Sequence, residues 1–122
     1  MRLRTARNRF TYAGRVVFIT GGSRGLGLLM AQQVRKAGAR VVLIARNREE
    51  LVRAKEKLGG GDNVLTIACD VAERAAVQHA VEIAMQHFGR IDMLINNAGI
   101  IQVGPLEHMS YGDYHRAMNV HF

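Results

Sequence analysis

The sequence has few of the residues that mark secreted or membrane proteins. Only one of its 122 residues is a cysteine, Cys69, so no internal disulfide can form. Because Cys69 closes an apolar run, we expect a buried, inert thiol, and the predicted compartment is the cytosol. No apolar run approaches the roughly 20 residues that a transmembrane helix requires, so no membrane span is expected.

Basic residues are in excess, but they are unevenly placed. The formal net charge is +7, and five arginines precede residue 16; without them twelve basic residues face ten acidic ones, a net charge of +2. The seven aromatic residues form no evident platform for stacking bases. The five histidines lack metal-ligand spacing with one another or with Cys69. We therefore expect neither a nucleic-acid partner nor a metal site.

The basic N-terminal residues are interpreted as a flexible leader over residues 1–14, ahead of a single domain over residues 15–122. No apolar signal-peptide region follows the leader. Its arginines and its lack of acidic residues also suit a mitochondrial presequence, which stays as an alternative.

A glycine-rich stretch lies between an apolar run and an amphipathic segment, and it reads Thr20-Gly21-Gly22-Ser23-Arg24-Gly25-Leu26-Gly27. Such a turn exposes N–H groups at the start of a helix, where the helix dipole favours a phosphate. Glycines allow a sharp turn and a close approach of the backbone to a pyrophosphate. A glycine-rich turn alone can be an ordinary tight loop, but this position between a strand and a helix predicts a dinucleotide site.

Strand and helix patterns alternate along the chain. Near-continuous apolar runs predict strands buried on both faces, and apolar residues at helical spacing predict the segments between them. The predicted strands are Val16–Thr20, Arg40–Ala45, Val64–Ala68 and Met93–Asn96, and the predicted helices are Gly25–Ala37, Arg48–Leu58, Ala72–Phe88 and Tyr111–His121. This alternation predicts an α/β fold, a Rossmann-like doubly wound parallel sheet with strand order 3-2-1-4.

The helix ends and helix faces carry finer predictions. Asp70 and Glu73 resemble a capping box at the start of the third helix. Gly38 and Gly89 stand where the first and third helices would end. The stripes expected to face the sheet are Leu26, Met30 and Val34 in the first helix and Val77, Val81, Ala84 and Phe88 in the third.

Polar residues and glycines gather at the predicted strand ends. The glycine turn follows the first strand, Arg46 the second, Asp70 the third, and Asn96-Asn97-Ala98-Gly99 closes the fourth. In a doubly wound sheet these carboxyl ends share one edge, and a ligand binds at the switch point between strands 1 and 4. The hydrophobic pattern and the motifs therefore place a site at the same position.

These residues together resemble the short-chain dehydrogenase/reductase family, in its single-domain branch, over residues 15–122. The matching pieces are Thr20-Gly21-x-x-x-Gly25-x-Gly27, Cys69-Asp70-Val71, Ile91-Asp92-x-Leu94-x-Asn96-Asn97-Ala98-Gly99, and Asn119. This combination is far more specific than the glycine turn alone. The resemblance implies an oxidoreductase that uses a nicotinamide cofactor.

The resemblance also implies roles for individual residues. Cofactor contacts would come from the glycine turn and the ends of two later strands, at Gly21, Ser23, Gly25, Leu26, Gly27, Asp70, Val71, Asn97, Ala98 and Gly99. The turn would hold the pyrophosphate, with Leu26 contributing its backbone. Asp70 would accept a hydrogen bond from the adenine amino group, and Asn97, Ala98 and Gly99 would lie along the ribose. Asn96 would tie neighbouring strands together. Asn119 would be the catalytic asparagine that holds a water in the family's proton relay.

The choice of cofactor can be argued from charge. Sites for NAD usually place an acidic residue about 20 residues beyond the turn, where it binds the ribose 2′-hydroxyl. Here that region reads Ile44-Ala45-Arg46-Asn47-Arg48, with no acidic residue before Glu49. Arg46 and Arg24 suit a 2′-phosphate through charge-assisted hydrogen bonds, although each alone could be a solvated surface residue. We therefore predict NADP in preference to NAD.

The sequence lacks the serine and the Tyr-x-x-x-Lys pair that the family's chemistry uses. Tyr111 is followed four residues later by His115, and Tyr114 by Met118. We therefore interpret the chain as the N-terminal half of a dehydrogenase, truncated after the fourth strand and following helix, and expect the 122 residues alone to be inactive. The parent activity would interconvert an alcohol and a ketone. A non-catalytic nucleotide-binding or regulatory module is the alternative.

Two further expectations concern partners. The fourth strand would be left as an open sheet edge, a poor state for a soluble monomer. The full-length form is expected to be a homo-oligomer. Apolar residues after the fourth strand suggest a lipophilic small-molecule substrate, with core packing as the alternative: Ile100, Ile101, Val103 and Leu106.

Overall fold

The structure, a computed structural model, describes residues 11–97 of the 122-residue chain. Strands and helices alternate in the order β1 (Val16–Thr20), α1 (Gly25–Lys36), β2 (Arg40–Ala45), α2 (Arg48–Lys57), β3 (Val64–Ala68), α3 (Arg74–Phe88) and β4 (Met93–Asn96). All four strands have the predicted bounds, and α1 and α2 each end one residue earlier than predicted. Residues 1–10 of the proposed leader and the predicted helix Tyr111–His121 lie outside the described residues.

The four strands form one parallel sheet in the predicted order β3-β2-β1-β4. Phe18 of β1 pairs with Val42 of β2 on one side and with Leu94 of β4 on the other. Ile44 of β2 pairs in turn with Ile67 of β3. The chain therefore builds outward from β1 to β3 and then returns to place β4 on the opposite side of β1.

Each face of the sheet carries its own apolar core, because alternate strand residues point to opposite faces. On one face, side chains of the sheet pack against α1 and α2; the buried members include Val17, Ile19, Val41, Leu43, Ala31, Val34, Leu51 and Ala54. On the other face they pack against α3; these include Val16, Phe18, Val42, Ile44, Val77, Ala80, Val81 and Ala84. Burial on both faces explains why every strand is a nearly continuous apolar run.

The division of the helices between the two faces creates the switch point. The first two crossovers place α1 and α2 on one face, and the third places α3 on the other. β1 therefore leads into a helix on one face, β4 is reached from a helix on the other face, and the strand order reverses between these two adjacent strands. In open α/β sheets a crevice forms at this position.

The predicted buried stripe of α1 was wrong at its first position. Leu26 is 54% exposed, and the buried residues of the helix are Gly27, Ala31 and Val34. Met30 is only partly buried against the same core. The helix approaches the sheet through its small residues, and this close approach turns Leu26 toward solvent.

The predicted capping box of α3 was also wrong. The helix begins at Arg74, and Glu73 at the N-cap makes no side-chain cap hydrogen bond. Asp70 instead accepts from the N–H of Ala72 through Oδ1 at 3.0 Å, and its carbonyl accepts from the N–H of Glu73 at 2.9 Å. The carboxylate thus stabilises a local turn before the helix, a use of aspartate that competes with helix capping.

The predicted helix-ending glycines are confirmed. Gly38 follows α1 with φ +98°, and Gly89 follows α3 with φ +82°, so both occupy the left-handed region that ends helices. Val77, Val81 and Ala84 face the core as predicted, with Phe88 partly buried beside them. Of the helices that the structure describes, none is long and apolar enough to span a membrane.

A buried carboxylate joins the amino ends of β1 and β4. Asp92 is fully buried, and its Oδ2 accepts from the N–H of Val16 at 2.8 Å. Arg90 donates from Nε to both carboxylate oxygens at 2.9 Å, and Nη1 of Arg15 lies 3.6 Å from Oδ1. This cluster lies at the end of the sheet opposite the crevice, so we interpret it as structural.

Candidate functional site

The glycine turn connects β1 to α1 through two glycines with left-handed backbone. Gly21 has φ +67° and Gly25 has φ +59°, a region that other L-residues enter only with strain. The N–H of Gly21 donates to the carbonyl of Ile44 at 2.8 Å, which fixes the turn against β2. A methyl group on Gly25 would meet no described atom within 4 Å, so the space in front of the turn is open.

Gly27 allows α1 to contact the turn directly. A methyl group at this position would lie 2.0 Å from the carbonyl oxygen of Gly21 and 2.9 Å from Nδ2 of Asn97. The first distance is far below any van der Waals contact, and its partner is backbone. The third glycine of the motif is therefore required by packing between the helix and the turn, and its role does not depend on a ligand.

The first N–H groups of α1 have no partner within the helix. The first hydrogen bond of the helix joins the N–H of Leu28 to the carbonyl of Arg24 at 3.3 Å. The N–H groups of Gly25, Leu26 and Gly27 come before this bond and so take no part in the helical pattern. Arg24 at the N-cap makes no side-chain cap hydrogen bond, and the first turn holds no acidic residue. An uncapped helix start with a glycine turn can bind an anion through N–H groups and the helix dipole.

The end of β4 is tied to the glycine turn by side chains. Thr20 donates from Oγ1 to Oδ1 of Asn96 at 3.0 Å, and the same hydroxyl accepts from the N–H of Asn97 at 3.1 Å. Asn97 then donates from Nδ2 to the carbonyl of Gly21 at 3.3 Å. Asn96 thus ties adjacent strands together as predicted, and Asn97 holds the turn at the switch point.

A cleft of about 620 Å³ opens at the carboxyl ends of β1, β2 and β3. This volume is in the range of pockets that bind small molecules. The cleft lies between the glycine turn and the start of α2. Its lining residues are Thr20, Gly21, Ser23, Arg24, Ile44, Ala45, Arg46, Asn47, Glu50, Cys69 and Val71.

The two arginines of this cleft differ in their contacts. Arg24 has a side chain that is 81% exposed, and its Nη1 lies 3.5 Å from Oε2 of Glu50. Arg46 is exposed at the end of β2, and within residues 11–97 its side chain makes no hydrogen bond or ion pair. The cleft therefore presents two guanidinium groups and one carboxylate to a ligand.

Cys69 lies buried at the base of the cleft, as the sequence predicted. Burial, and secondarily the neighbouring charge of Asp70, raises the pKa of its thiol above the usual range. Because a neutral thiol is a poor nucleophile, this cysteine is suited to packing under a ligand and not to reaction with one.

The structure brings most of the predicted site residues to one place. Those lining the cleft are Gly21, Ser23, Arg24, Arg46 and Val71. Gly25, Gly27 and Asn97 form or hold the adjoining turn. Leu26 points to solvent, and Asp70 lies at the end of β3 beside the cleft and not in its lining. Ala98, Gly99 and Asn119 lie outside the described residues.

Two polar residues of the cleft were missed by sequence reasoning, Asn47 and Glu50. Asn47 caps α2 by accepting from the N–H of Glu50 at 2.9 Å. The spacing Asn-x-x-Glu is a recognisable start of a helix, and it was the available signal for both residues. The position of Glu50 in the cleft depends on tertiary structure, which no local pattern shows.

Known proteins are similar to this chain in both sequence and fold. Residues 15–122 match the short chain dehydrogenase family. An oxidoreductase of Mycobacterium bovis is 37% identical over 107 residues, which are 88% of this chain and 43% of that protein. The 3-ketoacyl-(acyl-carrier-protein) reductase of Brucella melitensis, crystallised with NADH, is 40% identical with a TM-score of 0.68, over 73% of this chain and 36% of that one.

A metagenomic short-chain oxidoreductase crystallised with NADP is 35% identical with a TM-score of 0.67, over 75% of this chain and 42% of that one. The chain thus spans less than half the length of these relatives. The match covers the glycine turn, the parallel sheet and the polar end of β4 together. The chain belongs to the short-chain dehydrogenase family of oxidoreductases.

Proposed function

We propose that this chain is the cofactor-binding part of an NADP-dependent oxidoreductase that interconverts an alcohol and a ketone. The observation that supports the choice of NADP is the pair Arg24 and Arg46, which line one cleft at the carboxyl ends of β1, β2 and β3. Two guanidinium groups can bind a 2′-phosphate through several charge-assisted hydrogen bonds. When bound, the nicotinamide supplies hydride transfer to or from the carbon of the substrate.

The residues of the site fit such a cofactor. The open space at Gly25 and the uncapped start of α1 would receive the pyrophosphate. Arg24 and Arg46 would hold the adenosine end, with Val71 beneath it. Asp70, Asn97, Ala98 and Gly99 complete the proposed contacts, and Asn119 is the proposed catalytic residue of this segment.

The relatives support a nicotinamide cofactor without choosing between its two forms, because one was crystallised with NADH and another with NADP. The choice therefore depends on the residues of this chain. An acidic residue does lie in the cleft, but Glu50 comes from the first turn of α2 and is already engaged by Ser23 and Arg24. The two arginines outnumber it, so we propose a preference for the phosphorylated cofactor.

A non-catalytic nucleotide-binding module remains the second candidate. The cleft and its glycine turn would serve a module that binds the nucleotide without catalysis equally well. The two functions share the cleft, so cofactor binding alone does not separate them. Transfer of hydride from NADPH to a ketone, followed by the loss of absorbance of the reduced nicotinamide, is expected of the full-length oxidoreductase and not of a module. The 122 residues alone are expected to be inactive in both cases.

Arg46→Asp is expected to lower the affinity for NADPH about ten-fold and to leave the affinity for NADH nearly unchanged. The substitution removes a phosphate-binding guanidinium and adds a carboxylate that accepts from a ribose hydroxyl. Fluorescence titration with each reduced cofactor measures both affinities. Arg53→Asp, at an exposed position of α2 outside the cleft lining, is the matched control for the change in charge. An equal loss for both cofactors would refute the assignment of Arg46.

A further inference from the structure

Glu50 places a negative charge inside the cleft that the proposed function assigns to a phosphorylated cofactor. Its side chain is 24% exposed and points away from its own helix toward the glycine turn. Oε1 accepts from the hydroxyl of Ser23 at 3.0 Å, and Oε2 lies 3.5 Å from Nη1 of Arg24. One carboxylate therefore contacts two residues of the turn from across the cleft.

The two contacts of Glu50 differ in strength. Ser23 is 8% exposed, so its hydroxyl holds the carboxylate in a setting with little access to water. Arg24 is 81% exposed, and ion pairs in such exposed settings contribute little to stability. The serine bond therefore fixes the position of Glu50, whereas Arg24 can exchange this carboxylate for a stronger anionic ligand.

We propose that Glu50 is a specificity-determining residue that weakens the preference for a 2′-phosphate by competing for Arg24. This inference rests on the proposed function, because it needs NADPH to be the ligand that Arg24 binds. A phosphate reaching Arg24 must displace the carboxylate or share the guanidinium with it. NADH carries no 2′-phosphate and does not compete with Glu50 for Arg24. Glu50 therefore reduces the difference between the affinities for NADPH and NADH.

Glu50→Gln separates the charge of Glu50 from its structural contact. The amide oxygen of glutamine can still accept from Ser23, but the side chain no longer competes as an anion. We expect the ratio of NADPH affinity to NADH affinity to rise about five-fold, the order of effect of one charge near a protein surface. Glu49→Gln is the matched control, since Glu49 is the exposed neighbour on the same turn and does not line the cleft.

Arg24→Gln shows whether Glu50 acts through Arg24. In the Arg24→Gln background, adding Glu50→Gln is expected to change the ratio no more than Glu49→Gln does, because the contested guanidinium is gone. Glu50→Ala, which also removes the acceptor for Ser23, is expected to weaken binding of both cofactors. Thermal denaturation of each variant identifies any loss of folding.

The outcomes separate this inference from the proposed function. The inference is supported if Glu50→Gln raises the ratio of NADPH affinity to NADH affinity, Glu49→Gln does not, and the rise disappears in the Arg24→Gln background. A ratio that is unchanged, lowered, or raised equally by Glu49→Gln overturns it while leaving NADP binding intact. If the unsubstituted protein binds NADPH no better than NADH, the proposed cofactor preference fails, and the inference fails with it.

Discussion

Gly27→Ala is expected to lower NADPH affinity about 100-fold and to lower the free energy of unfolding by about 1–3 kcal/mol. The added methyl group would lie 2.0 Å from the carbonyl oxygen of Gly21 and 2.8 Å from its carbonyl carbon. Both atoms are backbone, so no rotamer change relieves the overlap, and the turn or the start of α1 must move. Fluorescence titration with NADPH and thermal denaturation measure the two effects.

Gly60→Ala is the matched control for this substitution. Gly60 also has a left-handed backbone, with φ +64°, but a methyl group there would meet no described atom within 4 Å. We expect it to cost about 1–2 kcal/mol of backbone strain and to leave NADPH affinity unchanged. If Gly27→Ala behaves like Gly60→Ala in the titration, the glycine turn is not the site of cofactor binding.

Asp92→Asn is expected to lower the free energy of unfolding by about 2–3 kcal/mol at neutral pH. The buried carboxylate accepts hydrogen bonds from Val16 and Arg90, and an amide would turn an NH₂ group toward donors. Because the five residues of β1, about 16 Å of extended chain, separate this cluster from the cleft, NADPH affinity should be retained. Denaturant unfolding gives the stability, and Asp62→Asn at an exposed position is the control.

The effect of Asp92→Asn should depend on pH. Burial by itself raises the pKa of Asp92, but hydrogen bonds from Arg90 and Val16 and the charges of Arg90 and Arg15 outweigh it, so the pKa lies below the usual range. The ionised form therefore stabilises the fold fully above the ordinary carboxyl pKa of about 3.9, and this contribution is lost as the pH falls through the lowered value. The difference in stability between the two proteins should shrink below about pH 4; a constant difference from pH 7 to pH 3 would contradict this account.

The sheet could be predicted from the sequence because its strands are buried on both faces. Each of the four strands is a nearly continuous apolar run, and its predicted bounds are those that the structure shows. The predicted strand order is the usual order of a doubly wound sheet, which the alternation of strands and helices indicates. Gly38 and Gly89 marked helix ends because left-handed backbone is a local requirement.

The helix starts were harder to predict because polar side chains there have competing local partners. Asp70 was interpreted as part of a capping box, but its carboxylate bonds to Ala72 in the preceding turn. Leu26 was assigned to a buried stripe by spacing, whereas Gly27 sets how closely α1 packs. In both cases the local sequence is compatible with more than one arrangement of the side chain, and the folded structure determines which one forms.

The site could be predicted as a set of residues but not as a set of contacts. The glycine turn, Arg24 and Arg46 were placed together by their positions at strand ends. The hydrogen bond from Asn97 to Gly21 joins residues 76 positions apart, and the contact of Glu50 with Ser23 joins residues 27 apart. Such contacts depend on the tertiary packing of β4 and α2 against the turn.

The central claim is that the cleft binds a 2′-phosphorylated adenosine through Arg24 and Arg46. The most direct test is to titrate the protein with adenosine 2′,5′-bisphosphate and, separately, with adenosine 5′-monophosphate. These ligands differ by the 2′-phosphate alone, and both lack the nicotinamide. We expect the bisphosphate to bind about ten-fold more tightly, with NMR amide shifts concentrated in the glycine turn and at the end of β2. Equal affinities, or shifts located away from these two segments, would contradict the account.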